Sequence, residues 1–153
     1  MPALRIFNFT LRDDLTLRQI VEIANGQGIE VDMAWNQILL EIGDVAIAQV
    51  FPCMLANNVF KESRNKSFDD QLVLVHGHGC ELPTVEQYII HIVLIQKISN
   101  QCLFGDDPLT YGRSVTRVMG SLLVVGGSAP ACLDVFRPHF GYDDECIGAG
   151  GWR

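Results

Sequence analysis

The chain has 153 residues, is 48% hydrophobic and carries a formal net charge of −7, enough apolar material for one core in a single domain over residues 1–153. That acidity argues against a nucleic-acid backbone or an anionic membrane as the main partner and favours basic ones. Five cysteines, at 53, 80, 102, 132 and 146, are odd in number and scattered through apolar sequence. That is the pattern of free thiols in a reducing, cytoplasmic compartment.

Residues 3–11 fit a short strand or an early helical turn equally well. Residues 1–11 lack a continuous apolar run, so no secretory leader is expected. Thr16 followed by Gln19 is a capping box, and Leu17, Ile20, Val21 and Ala24 then form a helical stripe that ends at Asn25-Gly26. A second helix is predicted from Asp32 as N-cap, with Trp35, Ile38, Leu39, Ile42, Ala46 and Val50 on its apolar face and Pro52 as its stop. Residues 61–70 read as a solvated loop. Leu72-Val73-Leu74-Val75 is strand or buried helix, broken by His76-Gly77-His78-Gly79.

Thr84 with Gln87 forms another capping box and opens a helix over 85–104, apolar on more than one face. Residues 115–133 carry almost no charge, and a buried central helix is expected there. Its apolar run over 118–133 falls short of the ~20 residues that a membrane span needs. One short segment follows Pro138. The fold class predicted from these elements is all-α, a helical bundle around a central hydrophobic helix.

His76, His78 and Cys80 offer zinc-type donors at strand-like i, i+2 spacing. The intervening glycines favour a loop, and the spacing matches no common structural site, so neither a metal nor a cofactor is expected. Cys53, Cys80 and Cys102 have no base or orienting group placed by the sequence. Gly126-Gly127-Ser128 lacks the lysine of a phosphate loop. No enzymatic constellation emerges.

Three segments in order carry a family resemblance. Leu39-Leu40-Glu41-Ile42-Gly43-Asp44 resembles the third homology motif of the Bcl-2 apoptosis regulators. Leu103-Phe104-Gly105-Asp106-Asp107-Pro108-Leu109-Thr110-Tyr111-Gly112-Arg113 resembles the first, and Gly150-Gly151-Trp152 resembles the core of the second. The chain departs from the family in its Thr110-Tyr111 pair, in Ala46 where an aromatic is common, and in the shortness of residues 113–150. Such departures suit a divergent, virus-encoded homologue.

The resemblance implies a Bcl-2-like helical bundle and a non-enzymatic, pro-survival role. The ligand would be the amphipathic death-motif helix of pro-apoptotic relatives, held in a hydrophobic groove. The groove residues implied are Arg113, Gly112, Tyr111, Val115, Thr116, Leu103, Ala46, Val50 and Met54, with Arg113 receiving the ligand's aspartate. Uncovered, such a groove invites homodimer formation. The setting implied is cytoplasmic or peripheral to mitochondria. Two alternatives stand beside it. One is a pro-apoptotic member acting through its own motif helix (residues 38–50), and the other is a small metal-dependent enzyme using His76, His78 and Cys80.

Overall fold

Both capping boxes form as the sequence predicts. In the first, Thr16 Oγ1 accepts the Gln19 amide and Gln19 returns the bond to the Thr16 amide; Thr84 and Gln87 repeat the exchange. The first box opens α1 (Leu17–Gly26) and the second opens α4 (Val85–Ser99). The computed structural model describes residues 4–7, 15–46, 53–56, 59–99, 110–129, 132–138 and 147–151. Between and after these helices come β2 (Glu30–Met33), α2 (Gln37–Ile42), a 3-10 turn (Lys61–Ser63), α3 (Phe68–Gly77), β4 (Tyr111–Val118), β5 (Ser121–Ala129), β6 (Cys132–Phe136) and β7 (Ile147–Gly148). Strands β1 (Leu4–Phe7) and β3 (Cys53–Ala56) pair antiparallel with each other in a separate two-stranded sheet.

The all-α expectation is overturned. The main sheet has five strands in the order β2-β6-β5-β4-β7, and the fold is α/β. Two parallel pairs, β2–β6 and β4–β7, flank the antiparallel meander β4–β5–β6. The expected central helix is the β4–β5 hairpin. Val115, Thr116, Val118, Val124 and Val125 are β-branched residues that fit a pleated surface. Met119 and Gly120 at the tip have φ of 46° and 78°, the two positive values that a tight type I′ connection demands.

The second predicted helix also shrinks. Residues 30–33 are an edge strand with alternating exposure, parallel to β6, so Asp32 is a strand residue and not an N-cap. Among the described residues of that stretch, Gln37–Ile42 alone keeps the helical stripe, with Ile38 fully buried. Residues 72–75 lie in α3, and residues 61–70, read as a loop, supply the 3-10 turn and the start of that helix.

Register divides the sheet into two faces, because successive side chains point oppositely. Met33, Val135, Val125, Gly112 and Gly148 form one row. On that face Leu123, Val125, Leu133 and Val135 meet Leu17, Ile20 and Ala24 of α1 and Ile89, Ile92 and Val93 of α4 in the main core. Each such side chain is worth roughly 1.5–3 kcal/mol when fully enclosed. Helix α4 is buried nearly all round, His91 included, as its unbroken apolar sequence requires.

A second cluster, Phe60, Val75, Cys80, Leu82 and Ala149, packs beneath α3. It is tied to the end of the chain by polar bonds. Gln71 Nε2 donates to the carbonyls of Ser63 and Ile147, and the Ala149 amide donates to Ser63 Oγ at 2.7 Å. No helix among the described residues is long and apolar enough to cross a membrane.

Candidate partner-binding corner

The residues expected to line a groove do not form one. Tyr111, Gly112, Arg113, Val115 and Thr116 are near-consecutive on β4, alternating between faces. Arg113 is only 6% exposed. Its carbonyl accepts the Tyr88 hydroxyl at 3.2 Å, which places it inside the sheet and not at the mouth of a helix. Gly112 backs onto the Tyr88 ring, and Tyr111 packs edge-on against Phe136 with centroids 5.0 Å apart. The Val115 amide bonds the Pro83 carbonyl, and Thr116 Oγ1 accepts the Val85 amide, so both tie β4 to the start of α4. Ala46 is exposed and bridges Thr16, while Met54 belongs to the other sheet. Leu103 and Val50 lie outside the described residues.

The zinc-type donors are also dispersed. His76 ends α3 and pairs with Glu81 at 3.0 Å. His78 caps the helix, stacks on Phe60 with centroids 4.4 Å apart, and pairs with Glu62 at 3.1 Å. Cys80 is buried, its thiol turned to the His78 carbonyl. Among the described residues no three His, Cys, Asp or Glu side chains gather as a metal site.

What the fold does assemble is a corner where α2 meets the β4–β5 tip. Helix α2 is anchored from below. The Arg18 amide donates to the Gly43 carbonyl, and the Arg18 guanidinium grips Asp44 through Nε at 2.8 Å and Nη2 at 3.2 Å. Each partner moves the other's titration, Asp44 down and Arg18 up. From this fixed helix Glu41 reaches the hairpin tip, where its two carboxylate oxygens accept the Met119 amide at 3.1 and 3.3 Å.

That bond holds a costly conformation. Left-handed backbone costs a residue with a side chain about 1 kcal/mol, and hairpin tips normally place Asn, Asp or Gly there. Here the position carries a methionine that is 67% exposed. Val45 follows Glu41 by four residues and is 59% exposed, and Leu40 is 75% exposed. Three large apolar side chains thus stand in solvent on the two segments that the Glu41–Met119 bond joins. Sequence reasoning missed them. The readable signal was Met119-Gly120 between two β-branched runs.

The opposite sheet face carries a second feature absent from the sequence reading. Asp32 and Asp134 face each other directly across the parallel β2–β6 pair. No cation pairs with either among the described residues. Burial raises the Asp134 titration, and the like charge of Asp32 adds to it. A carboxyl whose folded titration lies above its unfolded one favours folding most when protonated, so its contribution fades as pH rises through the folded value. Asp134→Asn should therefore stabilise the protein near neutral pH by about 0.5 kcal/mol, a small gain because Asp134 is only half-buried and Asp32 is exposed. The gain should vanish toward acid pH in urea unfolding, and an equal effect at all pH values would show that Asp32 is not felt.

No family model, no curated protein and no solved structure matches this chain.

Proposed function

We propose that this chain is a non-catalytic binding module that takes the apolar side of a partner segment at the α2–hairpin corner. The observation that carries the reading is Met119: a large apolar side chain held in solvent, on a left-handed backbone, by the Glu41 carboxylate. Backbone strain kept at an exposed position is a mark of functional surfaces, and clustered exposed apolar side chains mark interaction sites. The amphipathic partner expected from the sequence is retained. The groove of the Bcl-2 family is not, because the helix that would floor it is the β4–β5 hairpin.

Methionine-methyl NMR tests this with an amphipathic peptide as probe. The Met119 methyl resonance should shift on titration while that of half-buried Met33 stays in place. Leu40→Glu and Met119→Glu should each weaken binding about tenfold, or 1.4 kcal/mol. Val73→Glu, at the exposed position on α3, should leave it unchanged. Equal affinity in all three variants would remove the corner from the binding surface.

A further inference from the structure

We infer that the partner at this corner is a cationic amphipathic helix, an inference that rests on the binding-module reading above. Two observations select it, one from the backbone and one from charge.

Several backbone groups of the corner are already engaged. The Met119 amide is taken by Glu41, and the Gly120 carbonyl accepts Arg117 Nη1 at 2.8 Å. The Gly43 carbonyl holds the Arg18 amide, the Leu39 carbonyl holds the Gly43 amide and Arg18 Nη2, and the Val45 amide bonds the Ile42 carbonyl. An extended peptide binds by adding main-chain bonds to a free edge. The groups named here are closed to it. A helix satisfies its own backbone and offers side chains alone, which is all that Leu40, Val45 and Met119 can receive.

The rim is acidic. Glu22, Glu41 and Asp44 are exposed, with Glu22 one turn on from Arg18 and acting on its charge. Arg18 opposes these three carboxylates but is held by Asp44. Arg117 also reaches the tip, but its guanidinium is spent on the Gly120 carbonyl and on the face of Phe68, 5.6 Å from the ring centroid, so the three carboxylates still outnumber the two bases. The rim sits on a chain of net charge −7. Lysines or arginines flanking an apolar helical stripe would meet this rim, whereas glutamates would be repelled.

The test uses two helical peptides with the same apolar stripe, one flanked by lysine and one by glutamate, titrated at low and high salt. The lysine peptide should bind at least about tenfold tighter at low salt, gain helical circular dichroism on binding, and lose affinity as salt rises. Glu22→Lys should weaken the lysine peptide and strengthen the glutamate peptide. A proline in the middle of the stripe should abolish binding, since it breaks the helix. Equal, salt-independent affinity of the two peptides would overturn the cationic partner while leaving the binding module standing. Undiminished binding of the proline peptide would overturn the helical one. Failure of both peptides to bind would overturn the module and this inference with it.

Discussion

Gly112→Ala should cost about 3 kcal/mol of stability, a large effect for one methyl group in an overpacked core. A Cβ at this position would lie 2.8 Å from Tyr88 Cζ and 2.9 Å from its hydroxyl oxygen. Neither side has room to withdraw. Strand β4 is held by β5 through Gly112–Val125 and by β7 through Gly112–Gly148. The Tyr88 ring is buried, its hydroxyl donating to the Arg113 carbonyl and accepting the Gly150 amide, both at 3.2 Å. Urea unfolding reads the loss directly. A change below about 0.5 kcal/mol, the size of an ordinary surface substitution, would mean that the ring does not sit against the strand.

The same glycine shows how far the sequence could be read. A glycine beside an arginine does signal a close approach, and the structure has one. The visitor is Tyr88 from α4, where the family resemblance implied a ligand groove. The third-motif segment behaves alike. Helix α2 does run into Gly43-Asp44, and Asp44 does meet an arginine, but the arginine is Arg18 of the same chain. Short motifs record local needs, such as a small residue or a carboxylate at a helix end. They do not record who meets those needs.

Helix starts were legible because they are local: Thr16 with Gln19 and Thr84 with Gln87 lie within one turn. The sheet was not legible, since β2 pairs with β6 about a hundred residues away, and nothing near Asp32 announces Asp134. Residues 115–133 misled because absence of charge fits a buried helix and a buried strand alike. The β-branched content and the Met119-Gly120 tip were the better guides. The α2–hairpin corner needed both corrections, a shorter α2 and a hairpin, before Glu41 and Met119 could meet.

Tyr88→Phe should cost about 2 kcal/mol near neutral pH, because two buried backbone groups lose their bond to this hydroxyl together. The Arg113 carbonyl and the Gly150 amide both bond this hydroxyl, and phenylalanine has no atom to offer either. The alkaline side should show the opposite ordering of slopes. Burial pushes the Tyr88 phenol well above its ordinary range, whereas the unfolded phenol ionises near 10. A folded value above the unfolded one gives stability that is complete below the unfolded value and lost as pH rises beyond it. The wild type should therefore lose this contribution above about pH 10, and the Phe variant should lack that component of the decline. In a tyrosinate absorbance titration of the three tyrosines, one should ionise only as the protein unfolds, and that step should vanish in Tyr88→Phe. Combining this change with Gly112→Ala should cost less than the sum of the two, since the freed ring can yield to the new methyl. Strict additivity would show that the hydroxyl bonds do not hold the ring against β4.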